Sequence, residues 1–110
     1  MKKVLYLAAP YSHWNPLIRW WRVRKVNKKA AELMDQGYIV FSPISHSDLI
    51  SKHTKADCCD SQFWVRQDLA FMPACDEVWV YKLPGYMVSR GIERELKEAH
   101  VLGKVVRFVE

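Results

Sequence analysis

Three residue types in a fixed order carry most of the chemistry legible in this chain. Ser89, Gly91 and Glu95 lie within seven residues at the expected start of a helix, after a strongly apolar strand and a Pro-Gly loop. A helix start has free backbone N–H groups that hold anions, and a serine hydroxyl adds to them. A glycine there lets a ligand approach the backbone closely, because no Cβ intervenes. The carboxylate of Glu95, one turn further on, then projects toward whatever the anion belongs to. The set suits a sugar phosphate attacked at its anomeric carbon. On a helical wheel Ile92, Leu96 and Ala99 form the apolar stripe, and Glu95 lies closer to it than Glu93 or Glu98. An acid complementing the helix dipole is the plainer alternative for Glu95, and Ser89 serves equally as an ordinary N-cap.

Asp68 is the second candidate acid. It follows Trp64 by one helical turn. A carboxylate beside an indole is partly desolvated, which raises its pKa and suits proton transfer. Pairing with Arg66 or Lys82 at the surface is the competing reading. Tyr11 and Ser12 follow the first strand and can hydrogen-bond or stack at its mouth, or simply form a turn. His46, among serines in the second such loop, can contact a base edge. Arg19, near the apolar face of a basic helix, can reach a phosphate. Two loop histidines without partners make a poor metal site, so neither metal nor cofactor is expected.

Elements that would position these residues follow from periodicity and stop signals. Strands are expected at Lys3 to Ala9, Tyr38 to Ser42, Asp76 to Leu83 and Lys104 to Val109. Helices are expected from Asn15-Pro16 to about Gln36, from about Asp60 to Met72, and from Gly91 to Leu102. Ile44 to Ala56 reads as a polar loop. In the first helix Val23, Val26, Ala30 and Met34 form the inward stripe, Arg22 lies at its boundary, and Trp21, Arg24, Lys25 and Lys28 face outward. The alternation implies a three-layer α/β sandwich, flavodoxin- or Rossmann-like, with a parallel sheet of four to five strands and helices on both faces. Ligands in such sheets bind beyond the carboxyl ends of the strands, which selects the loops holding Tyr11, His46 and Ser89.

Composition bounds the rest. The chain has 110 residues, which reads as one domain over 1–110, and half of them are hydrophobic, enough for a core without staples. No apolar run reaches the roughly 20 residues that span a bilayer, and the short apolar start lacks a cleavage site. Three cysteines without metal-type spacing read as reduced thiols, so a cytosolic protein is expected. A formal net charge of +5 points to anionic partners. The outward tryptophan and cations of the first helix leave single-stranded nucleic acid open as a partner, beside a subunit contact or a solvated face.

These motifs resemble those of the nucleoside deoxyribosyltransferase and nucleotide N-glycosidase superfamily. The matching pieces are Tyr6-Leu7-Ala8-Ala9-Pro10-Tyr11-Ser12-His13, Gly37-Tyr38-Ile39-Val40-Phe41-Ser42-Pro43, Asp68 eight residues before Asp76, and Ser89-x-Gly91-x-x-x-Glu95. The resemblance implies that Glu95 attacks the anomeric carbon and displaces the base, as in retaining glycosidases. It implies that Asp68 contacts the base and moves its proton, and that a tyrosine near the first loop, here Tyr11, orients the nucleophile. Members acting on free nucleosides carry aspartate at the Ser89 position, whereas monophosphate hydrolases carry serine. The resemblance therefore implies a nucleoside 5′-monophosphate N-glycosidase, or a related deoxyribosyl transferase, forming a homodimer through a helix, with no cofactor. Glu93 and Arg94 depart from the small or aromatic residues that better-studied members carry there. A non-catalytic nucleotide-binding module and a nucleic-acid-binding protein are the alternative readings.

Overall fold

The computed structural model describes residues 3–110. Its four strands are β1 (Val4–Ala8), β2 (Ile39–Phe41), β3 (Glu77–Tyr81) and β4 (Val105–Val109). They form one sheet in the order β2-β1-β3-β4, and every pairing is parallel. Parallel neighbours need crossovers, and these are supplied by α1 (Pro16–Asp35), α2 (Pro43–Ile50), α3 (Ser61–Leu69) and α4 (Arg90–Val101). This is the flavodoxin-like arrangement expected from the alternation. Its topological switch point lies between β1 and β3, the position where such sheets take ligands.

Period-two alternation divides the core into two layers. Tyr6, Ala8, Val78 and Val80 face one side, with Ile92 and Ala99 of α4 and Met72 packed on them. Leu5, Leu7 and Ala9 face the other side, against Val26, Ala30 and Leu33 of α1. Both strand faces are covered, as a parallel sheet requires.

Local signals set the helix limits. Asn15 caps α1, its side chain accepting from the Leu17 N–H at 2.9 Å, and Pro16 takes the first helical position. At the other end Gly37 adopts φ 99°. The Gly37 N–H then donates to Met34 and the Tyr38 N–H to Leu33, which satisfies carbonyls left free by the last turn. The inward row of α1 runs through Arg22, Val26, Ala30 and Leu33; Met34, expected inward, is exposed.

Two expectations are corrected. The segment read as a polar loop from Ile44 begins instead with the helix α2. Ser42 caps it and Pro43 opens it, the same pair of signals as at Asn15-Pro16. Serine and histidine content concealed a short helix that needs only one apolar edge. The helix expected to reach Met72 ends at Leu69, and Met72–Ala74 is a 3₁₀ turn. Pro73 has no N–H and cannot continue an α-helix.

Candidate active site

A cleft of about 320 Å³ opens at the carboxyl ends of β1 and β3. Its size lies at the small end of the range for ligand pockets. Glu95 and Asp68 both line it, and both are buried, at 6% and 7% exposure. Neither forms an ion pair among the described residues, so the surface pairing considered for Asp68 is absent.

Glu95 reaches the cleft from the buried row of α4, which it shares with Ile92 and Ala99. Ser89 caps this helix, its Oγ accepting from the Ile92 N–H at 3.2 Å. Ser89, Arg90 and Gly91 also line the cleft, so the helix start contributes to its wall. Gly91 is the second residue of α4. A Cβ there would meet protein atoms only at ordinary contact distance, 3.8 Å from Ser89 Oγ and Val65 Cγ2.

The residue that sequence reasoning missed is Tyr6. Its phenol donates to Glu95 Oε2 at 2.5 Å, across from β1 to α4. Tyr11, expected to orient the nucleophile, lines the cleft but does not bond Glu95. The signal was present: a tyrosine inside an apolar strand buries a hydroxyl, and a buried hydroxyl needs a partner.

The two carboxyls share an electrostatic problem. Burial pushes Asp68 up to about 7, with a contact from Ser47 Oγ at 3.4 Å acting the other way. Burial, and to a lesser degree the Asp68 charge, pushes Glu95 up to about 8, while the Tyr6 hydrogen bond favours its anion. Tyr6 itself is held far above the ordinary phenol range, first by burial and then by Glu95. With Asp68 at about 7 and Glu95 at about 8, Asp68 gives up its proton first as pH rises.

α2 explains which of its residues reach the cleft. Ile44, Ser47, Asp48 and Ser51 line it, the i, i+3, i+4, i+7 stripe of one helical face. His46 lies off that stripe and does not line the cleft. Its ring packs 5.7 Å from Phe41 and 5.9 Å from Phe71, so its expected base contact is not formed from this position. Arg19 is also absent from the lining; its Nη1 donates to the His13 carbonyl at 2.5 Å. Ser12 does line the cleft.

The opposite wall carries Trp64, Cys58 and Cys59. The two thiols stand 3.7 Å apart, and with the Asp57 carboxylate their donor atoms lie within 4.8 Å. That donor set could hold a thiophilic ion, a grouping that sequence spacing did not reveal. Burial raises the Cys58 thiol, and burial pushes the neighbouring Tyr11 phenol up to about 12.

The sequence model of a domain of unknown function, DUF1937, matches residues 3–110. The chain belongs to the DUF1937 family. No curated protein matches it. Among solved structures, the DUF1937 fold is similar to that of a 2-deoxyribosyltransferase from the psychrotolerant bacterium Bacillus psychrosaccharolyticus. The TM-score is 0.62 at 22% identity, over 96% of this chain and 70% of that one. The likeness shows a shared α/β fold. No helix among the described residues of the DUF1937 chain is long and apolar enough to cross a membrane.

Proposed function

We propose that this protein cleaves the base–sugar bond of a nucleoside 5′-monophosphate, with a deoxynucleotide as the favoured substrate. The observation that carries the reading is the pairing of Tyr6 with Glu95 at the floor of a cleft whose other buried acid is Asp68. The similarity to a 2-deoxyribosyltransferase supports the same class of chemistry.

In the reactive form Glu95 is ionised and Asp68 holds a proton. With Glu95 at about 8 and Asp68 at about 7 this is the less populated of the two singly protonated forms, and the Tyr6 O–H donated to Glu95 raises its share. A Glu95 oxygen attacks the anomeric carbon as the bond to the base nitrogen breaks. The electron pair leaves with the base, and Asp68 delivers its proton to it. Water then attacks the same carbon, the glycosyl–Glu95 ester bond breaks, and Asp68 takes the proton released. A second base in place of water gives deoxyribosyl transfer, so exclusion of water decides between the two outcomes.

The phosphate would be held by the start of α4, where Ser89, Arg90 and Gly91 border the cleft. A hydroxyl at Ser89 presents no repulsion to a phosphate dianion, as a carboxylate would. Trp64 offers an aromatic wall to the base. The test is to trap the intermediate. A substrate analogue fluorinated at the sugar 2′ position slows breakdown of the ester. Intact-mass spectrometry should then show a glycosyl adduct that maps to Glu95. No adduct on any analogue, or an adduct on another residue, defeats the mechanism.

A further inference from the structure

Arg22 occupies a place in α1 where a core residue is expected. It is 8% exposed and stands in the inward row with Val26 and Ala30. Its guanidinium is spent on backbone carbonyls: Nη1 donates to Ser12 at 2.9 Å and to Tyr11 at 3.3 Å, and Nη2 donates to Pro84 at 3.1 Å. One side chain thus joins the loop after β1 to the loop after β3, the two that flank the switch point. Tyr11 and Ser12, held this way, line the cleft.

Gly85 is fitted to this contact. It adopts φ 95°, and a Cβ there would lie 2.5 Å from Arg22 Nη2. Any side chain at this position would push the guanidinium off the Pro84 carbonyl.

Arg22 is the buried cation among the described residues, and it has no counter-ion there. The Nε is buried and finds no partner among the described residues. The ion pairs there join Lys3 and Arg107 to Glu77, Lys29 to Glu32, Lys82 to Glu110 and Lys97 to Glu93, and none includes Arg22. Neutral carbonyls solvate a guanidinium without cancelling its charge, and an arginine stays protonated when buried. A buried charge is screened far less than a surface one. Leaving a cation unpaired in protein is costly, so its persistence calls for an anion that arrives from outside.

We propose that Arg22 is a positioning residue for anionic ligands: it fastens the two loops beside the cleft and supplies the standing positive charge that favours a phosphorylated ligand over its neutral counterpart. It does so without touching the ligand. This inference rests on the nucleotide reading of the cleft, but its test separates the two.

Affinities of wild type, Arg22→Gln and Arg22→Lys are measured for a deoxynucleoside, for its 5′-monophosphate and for inorganic phosphate. The monophosphate-to-nucleoside affinity ratio should fall about tenfold or more in Arg22→Gln. Arg22→Lys keeps the charge and should retain most of that ratio. In both variants hydrogen exchange should quicken at Ser12, because the fork that holds its loop is gone. Gly85→Ala, which displaces the guanidinium and keeps its charge, should retain most of the ratio as Arg22→Lys does; Arg22→Met, which also removes the charge, serves if Arg22→Gln does not fold. An unchanged ratio in a folded charge-removing variant overturns the proposal, as does an equal loss in Arg22→Lys. If wild type binds inorganic phosphate but no nucleotide, the nucleotide reading falls, and the dependence of phosphate affinity on Arg22 decides this one. If it binds no phosphate-bearing ligand, both fall.

Discussion

The Tyr6 phenol oxygen lies 2.5 Å from Glu95 Oε2, joining the central strand β1 to the helix α4 inside the protein. This bond fixes one carboxylate oxygen and favours the charged form of the acid. Replacing Tyr6 by Phe removes the donor and keeps the ring. The Glu95 pKa should then rise, and the upper break of the pH–rate profile, set by Glu95 as the higher of the two groups, should move to higher pH. The rate of base release should fall by about 10²-fold, the size of effect a positioned donor commonly has. Steady-state kinetics across pH checks both. A Tyr6→Phe profile that overlays wild type would detach the phenol from catalysis.

Glu95 and Asp68 both have folded-state pKa values raised by burial, to about 8 and about 7. The folded protein therefore keeps protons that the unfolded chain has lost, once pH exceeds the ordinary carboxyl range near 4. Stability gained by holding those protons is present at low pH and is lost as pH rises through about 7 to about 8. Glu95→Gln removes the ionisation. Its melting temperature should exceed that of wild type at pH of about 9, by at least several degrees, with a smaller difference at about pH 5. Activity should be lost in the same variant. Thermal melts at the two pH values are the measurement, and equal shifts at both would contradict the assignment.

Asp68 is proposed as the acid for the leaving base. Asp68→Asn should slow release by about 10²- to 10⁴-fold and remove the basic limb of the pH profile. The loss should shrink for a substrate whose leaving group departs without protonation. An equal loss on both kinds of substrate would mean that Asp68 does not transfer the proton.

Gly91 sits inside the first turn of α4 with ordinary space around its absent Cβ. Gly91→Ala should fold normally and gain up to about 1 kcal/mol from helix propensity. The added methyl borders the cleft, so ligand affinity should drop while stability does not. Denaturant titration and calorimetry on one sample decide this. Unaltered affinity would remove Gly91 from the binding surface.

The fold was readable because its signals are local. Asn15-Pro16 opens α1, Gly37 closes it, and alternation in β1 and β3 assigns both faces. Glu95 and Asp68 were legible for the same reason, since helical spacing put each near a buried edge. What escaped depended on contacts between segments remote in sequence. The partner of Glu95 lies 89 residues away, and although a tyrosine inside an apolar strand signals a buried hydroxyl, the sequence does not say which group it meets. Arg22 read as a boundary residue because its carbonyl acceptors come from two loops whose geometry no periodicity encodes. His46 was misplaced by a more ordinary route: a loop reading put it at the mouth, and the turn of α2 carries it toward Phe41 and Phe71.

The central claim concerns the carboxylate at position 95, and base release tests it most directly. Each deoxynucleoside 5′-monophosphate is incubated with wild type and with Glu95→Ala, and free base is measured by chromatography. The account predicts release from at least one nucleotide by wild type, and a loss of about 10³-fold or more in the variant. Release that persists in Glu95→Ala, or no release by wild type from any of them, would contradict it.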